Sequence, residues 1–394
     1  MRLNRHGTLA VLLAPCATLL ATQACSSNDD TPPAINPTMD AAAEGGDMLA
    51  TDAAAEADAP YVCADQPFDC SEPGDAGAFA VPAQLRCAGL YQCWSNKEIS
   101  PNDRPYTPGV VLYSDNATKQ RWLRLPAGST IDTTNKDDWS FPVGTMAWKE
   151  FRIDGKRIET RRIWKASATQ FVYSVWRWSA DGETSATLLE NGERNAAGTY
   201  EVPSVGLCVT CHGSRPEKFL SLEPFSLGIG AASGVTLATL KNEGRLSNWT
   251  APTPMALPED STGKAAAALG WLHANCGSCH APSGSAAFTG LFMRLSLADL
   301  ADAGAGGVTA PVTATATYRT AVNQPMTRPM YTSNAAYNGF KRIYGGNANL
   351  SLIPAVDSLR DPDGGLAVGQ MPPILRHQVD TAGVDAVRAW AGAL

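Results

Sequence analysis

Two pentapeptides constrain this chain more than anything else in it. Cys208-Val209-Thr210-Cys211-His212 and Cys276-Gly277-Ser278-Cys279-His280 both read C-x-x-C-H. Two thiols at this spacing can add to the two vinyl groups on one edge of a porphyrin. The residue after them then places a neutral imidazole where it can ligate the iron. With 10 Cys and 5 His in 394 residues, composition alone yields such a pentapeptide about 0.003 times per chain. A zinc site would bring its C-x-x-C pairs within roughly 15–20 residues of each other, or follow with paired histidines. Here the motifs lie about 65 residues apart and both carry the trailing His. A thioredoxin-like pair needs a βαβ setting that neither motif has. The expectation is two covalently bound haem c groups, with His212 and His280 as axial ligands.

Length allows two or three domains, and 44% apolar with 18% charged residues is ordinary for folded protein. The net charge of −7 is unevenly placed. Residues 26–60 carry −8 with no Lys or Arg, and the leader carries +2. The rest of the chain is therefore almost neutral, which gives no footing for nucleic-acid binding.

Residues 1–24 have the form of a signal peptide: Arg2 and Arg5, then an apolar run over 8–22 too short to span a bilayer. Thr22-Gln23-Ala24-Cys25 resembles a bacterial lipobox, with Thr22 and Gln23 as departures. That resemblance implies a lipid on Cys25 and a protein of the periplasm or outer membrane. The alternative is plain cleavage after Ala24. Residues 25–60 are too acidic and too poor in apolar residues to form a core, so they read as a disordered tether. With the leader and haem cysteines set aside, Cys63, Cys70, Cys87 and Cys93 remain. In an exported chain they imply two disulfides, with three pairings open.

In order, residues 61–105 read as a Cys-rich entry segment, and 106–225 as a β-rich domain ending in the first motif. Strands are expected at 109–113, 120–125, 144–153, 156–164, 170–178 and 185–189. Asp154-Gly155 and Asp181-Gly182 mark turns, and the expected architecture is an antiparallel sandwich or barrel-like sheet. Residues 119–165 hold eleven basic residues against six acidic ones. Most fit a solvated strand face. The excess could also pair with haem propionates or steer an acidic redox partner. Glu159, among Lys156, Arg157, Arg161 and Arg162, reads as an ion-pair network.

Residues 226–258 form a connector with a short helix near 236–243, and 259–394 form the second haem domain. Asp260, Ser261 and Thr262 are candidate caps for a helix over 264–275 that runs into Cys276. A last helix covers 381–393. Helix, motif, long loop, helix resembles the layout of class I cytochrome c domains, whose terminal helices cross. Gly270, Trp271 and Trp390 suit that crossing. Met371-Pro372-Pro373 resembles the ligand loop of that class and makes Met371 the expected sixth ligand of the second iron. His273 reads as a satisfied helix residue and His377 as a loop residue. No candidate stands out for the sixth position of the first iron among His273, His377, Met146, Met255, Met293, Met326 and Met330, so that ligand stays undecided and an open distal side is one alternative.

From about residue 105 onward the chain resembles a bacterial family of exported di-haem c-type cytochromes. The likeness rests first on Val111-Leu112-Tyr113-Ser114-Asp115 with Lys119 and Arg121-Trp122. It continues with Phe141-Pro142-Val143-Gly144-Thr145, Lys149-Glu150-Phe151, Glu159-Thr160-Arg161, both haem motifs with Asn275, and Met371-Pro372-Pro373. The family usually has Leu-Trp-Ser-Asp-Gly where this chain has Leu112-Tyr113-Ser114-Asp115-Asn116. The sheet is also loosely similar to the β-sheet cytochromes c-prime and their hydroxylamine-oxidising relatives, which makes Lys149 a residue of interest. These resemblances imply an α+β multidomain protein: an antiparallel β-rich haem domain followed by an all-α class I-like cytochrome c domain. The implied role is electron transfer with an unidentified redox partner protein. The alternatives are an enzyme acting on a small oxidant or reductant (peroxide, nitric oxide or hydroxylamine) at an open first haem, and a lipoprotein that merely carries haem.

Overall fold

The main sheet is antiparallel and built from β1 (Arg104–Thr107), β2 (Thr118–Arg124), β3 (Met146–Ile153), β4 (Lys156–Lys165), β5 (Phe171–Trp178), β6 (Ala186–Leu188) and β7 (Ser233–Gly234). Their spatial order is β7-β1-β2-β3-β4-β5-β6. At the centre, Asp154 and Gly155 take positive φ values of 49° and 80°, the geometry that lets a two-residue turn match the twist of its strands. Helices complete an α+β fold: the first C-x-x-C-H motif is α1 (Cys208–His212), the second follows α2 (Ala265–Asn275), and α3 (Thr381–Ala393) ends the chain. The computed structural model describes residues 63, 65, 68–70, 79–251, 253, 255–301, 311–361 and 365–394. The leader, Cys25 and the acidic tether lie outside the described residues. No helix among the described residues is long and apolar enough to cross a membrane.

Alternation along the strands gives the sheet two different faces. One buries Trp122, Trp148, Trp176 and Trp178 under Leu85, Leu90 and Tyr91 of the entry segment. Two disulfides hold that segment, Cys63–Cys93 and Cys70–Cys87, with Cα separations of 5.5 and 5.6 Å. The three pairings that the sequence left open reduce to this one. The entry segment covers the face that a second sheet would cover in a sandwich, so the fold is a single large sheet with small two-stranded satellites. The opposite face packs toward the helices. One apolar core runs from Tyr106, Leu123 and Ala147 through Phe225 and Leu240 to Leu272 and Trp390, across the positions expected to separate domains.

Three local expectations are corrected. Residues 109–113 are not a strand, because their backbone groups bond elsewhere: Gly109 N–H donates to Ser226 O at 2.7 Å and Tyr113 N–H to Asn275 Oδ1 at 2.8 Å. At the start of α2, Thr262 Oγ1 accepts from Lys264 N–H at 3.1 Å, but Glu259, not Asp260 or Ser261, takes the open amides of Ala265 and Ala266, at 2.8 and 3.3 Å. Asp260 instead accepts from the Trp390 indole at 2.9 Å. The close glycine of the α2–α3 contact is Gly383, not Gly270. A Cβ on Gly383 would overlap Trp271 Nε1, whereas one on Gly270 would meet Leu257 and Val110.

Candidate functional site

α1 follows a 3-10 turn, Val205–Leu207, and is itself the first motif. The second motif unwinds the end of α2. There, Cys276 N–H still bonds Leu272 O at 2.9 Å, and His280 N–H closes back on Cys276 O at 2.8 Å. Gly277 is needed in this turn, since a Cβ there would lie 2.5 Å from His273 O.

Both motif histidines are anchored in the same way. His212 Nδ1 lies 2.6 Å from Lys218 O, and His280 Nδ1 lies 3.3 Å from Leu291 O. A carbonyl can only accept, so the proton sits on Nδ1 and Nε2 is left with its lone pair, the arrangement a metal-binding imidazole needs. Burial, aided by the Lys149 charge, pushes His212 down to about 3. Burial also lowers His280. Both rings are therefore neutral at pH 7, and none of the four motif cysteines is in a disulfide.

The two motifs meet. Cys211 and Cys279 perturb each other across this junction, which raises Cys211 and lowers Cys279. Cys279 Sγ also lies 3.9 Å from Thr210 O, and Ser283 Oγ donates to Ser214 O at 2.8 Å. Both motifs open onto one cavity of about 400 Å³, within the usual range for a ligand site. The sheet supplies one wall through Tyr106, Arg121, Lys149, Arg161 and Tyr173, and the C-terminal loops supply another through Met371 and Arg376. Sequence reasoning missed Tyr106, Tyr173, Arg328 and Arg376. Only the strand register and the return of the last loop bring them to the site.

The other two histidines among the described residues are occupied. His273 Nδ1 accepts from Leu295 N–H at 2.9 Å and its Nε2 meets Glu223 Oε1 at 3.1 Å. His377 engages Gly365 O at 3.2 Å and Glu201 Oε2 at 2.9 Å. Of the other methionines considered, Met255 and Met293 are in the core, and Met330 joins Met371 in lining the cavity.

The Met371 loop is held from two sides. Gln370, buried, accepts from Ala367 N–H at 2.7 Å and donates to Pro372 O at 3.1 Å and Arg376 O at 2.9 Å. The buried carboxylate of Asp115 accepts from His377 N–H at 2.8 Å and Gln378 N–H at 3.2 Å. Asn275 ties the same region to the second motif. Its Oδ1 accepts from Tyr113 N–H and from Arg376 at 3.3 Å, while its amide donates to Trp271 O at 3.0 Å. The residues that carry the family resemblance at 111–115 and 275 are thus the clamp between sheet, second motif and Met371 loop.

Beside that loop, Asp357 is buried with Oδ2 unpartnered. Burial, opposed by Arg360 and Arg376, pushes its carboxyl up to about 8. The folded chain therefore holds a proton here that the unfolded chain releases near pH 4. The resulting stability is complete below that pH and is lost as pH rises to about 8, at about 1.4 kcal/mol per unit. Asp357→Asn removes this titration. Its melting temperature should gain on the wild type steadily between pH 5 and 8. A constant difference across that range would refute the assignment.

The donor set fits haem c: two paired-thiol motifs, two neutral imidazoles with Nε2 free, a thioether, and cations in excess along an apolar cavity. Comparison with family models, curated proteins and solved structures finds no match to this chain.

Proposed function

We propose that the chain is an exported di-haem c-type cytochrome that moves electrons at the cell envelope. The observation that carries this reading is the convergence of both C-x-x-C-H motifs on one cavity, each with a neutral histidine anchored through Nδ1. Cys208, Cys211 and His212 would hold one haem and Cys276, Cys279 and His280 the other, with Met371 as second axial donor to the latter. Haem, when bound, supplies a one-electron iron couple. The chain's own contribution is to fix the imidazole tautomers, exclude water with Phe219, Tyr173 and Met371, and set the surrounding charge. In this reading the sheet and α1 form a β-rich haem domain. Residues 259–394, with α2 against α3, form a helical domain like those of class I cytochromes c. A signal peptide, a lipid on Cys25 and a redox partner protein outside the cytoplasm belong to the same proposal.

A second reading is an enzyme with an open first iron. It is favoured by the wall that the sheet presents: Tyr106, Arg121, Lys149 and Tyr173 offer neither imidazole nor thioether. Met371→Ala separates the roles. It should abolish the sulfur-to-iron band of the oxidised protein, lower one of the two midpoint potentials and open that centre to carbon monoxide, with the haem count unchanged. An unaltered band and potential would remove Met371 from the ligand set. In the wild type, a carbon monoxide-induced Soret shift at one centre favours the enzyme, and silence at both favours pure electron transfer.

A further inference from the structure

The sheet places four polar side chains in one row across its central strands. Arg121 on β2 faces Lys149 on β3, and Lys149 faces Arg161 on β4. Carrying the β1–β2 ladder one step past Pro105↔Trp122 sets Tyr106 beside Arg121. All four line the cavity. Like charges directly opposite one another on a sheet repel, and only one of these three is balanced. Arg161 Nε bonds Glu159 Oε2 at 2.7 Å, and Tyr200 completes that carboxylate's shell at 2.5 Å. Arg121 is 4% exposed, its Nε has no partner, and the Tyr106 hydroxyl, 3% exposed, has none either. Burial, with Arg121 and Arg161 beside it, lowers Lys149 to about 7, the Cys211 thiol opposes them, and no carboxylate is among the groups that act on it. An unbalanced guanidinium, an amine with no carboxylate beside it and an orphaned hydroxyl therefore converge on the same stretch of cavity wall. Buried donors left this way are costly unless something negative completes them.

We propose that Tyr106, Arg121 and Lys149 form an oxyanion receptor, built for a carboxylate or a group of like charge and size. The row offers a planar guanidinium suited to bidentate carboxylate, an ammonium and a neutral O–H donor. The carboxylate has two sources: a free small oxyanion entering the cavity, or the carboxylate arms of a haem held there. Only the second source rests on the haem reading.

Purified full-length wild type, Tyr106→Phe, Arg121→Gln and Lys149→Met are compared in melting experiments with formate and with inorganic phosphate, and in redox titrations. If the anion is free, the wild-type melting temperature rises saturably with formate or phosphate. The rise requires at least ten times more anion in Arg121→Gln and Lys149→Met, and a smaller increase in Tyr106→Phe. If haem supplies the carboxylate, added anion does nothing, and Arg121→Gln and Lys149→Met lower the midpoint potential of one centre with the haem count unchanged. In both cases the cation-free variants fold, because a buried repulsion has been removed. The conservative Tyr106→Phe guards against loss by misfolding. A melting temperature indifferent to anion, together with unshifted potentials in all three variants, overturns the proposal. If the wild type carries no haem, the functional reading fails and the anion arm alone decides the site.

Discussion

Gly383→Ala is expected to destabilise the chain strongly although it adds a single methyl group. On helix propensity alone the substitution gains about 1 kcal/mol. The contact reverses that gain. The new Cβ would overlap Nε1 and Cε2 of the Trp271 indole, so either the indole leaves its place or α3 backs away from α2. The indole cannot leave cheaply, since Nε1 donates to Asp380 at 2.7 Å, and Asp380 also caps α3 through Gly383 N–H at 3.2 Å. Overpacking of this kind costs about 3 kcal/mol or more, which corresponds to roughly a 5–10 °C fall in melting temperature. Gly392→Ala on the same helix is the control. Its nearest neighbour would be Ala348 Cβ at 3.9 Å, so the melting temperature should hold or rise slightly. Equal melting temperatures for Gly383→Ala and wild type would show that the crossing is not packed as described.

The second large effect concerns the motifs. On the proposed di-haem reading, replacing Cys276 and Cys279 with serine removes both attachment thiols of one haem, and haem per chain should fall from two to one. Because Cys279 Sγ lies 3.9 Å from Thr210 O in the first motif, the remaining centre should also change, with a shifted Soret band and altered midpoint potential. Replacing Cys208 and Cys211 should give the mirror result. A count that stays at two in either variant would exclude that motif as an attachment site. A remaining spectrum identical to its wild-type component would mean that the motifs act independently despite sharing a cavity.

How far the sequence reached depended on the range of the interactions involved. The central hairpin was legible because Asp154-Gly155 is a local signal, as were α2 and α3, which carry long helical runs. The entry segment's pairing was not, because four cysteines fit three schemes until the fold chooses one. The row of cations was hidden for a subtler reason. A plain two-residue hairpin through Ile153↔Lys156 would pair Lys149 with Thr160, but a bulge between Phe151 and Arg152 shifts the register by one. That single residue puts Arg161 on the cavity face with Lys149, and no local pattern announces it. Residues 109–113 look like a strand in isolation because their β-branched and aromatic content is high. Their hydrogen bonds go to Ser226 and Asn275, more than a hundred positions away. The convergence of the two motifs is of the same kind. Each was readable alone, and their shared cavity appears only when the chain is folded.

The most direct test of the central claim is a pyridine haemochrome assay with metal analysis on protein exported from a host with haem-attachment machinery. The account predicts two covalently attached haems and two irons per chain, with no zinc. Protein that is folded but carries no haem, or that holds zinc at the paired cysteines, would contradict it.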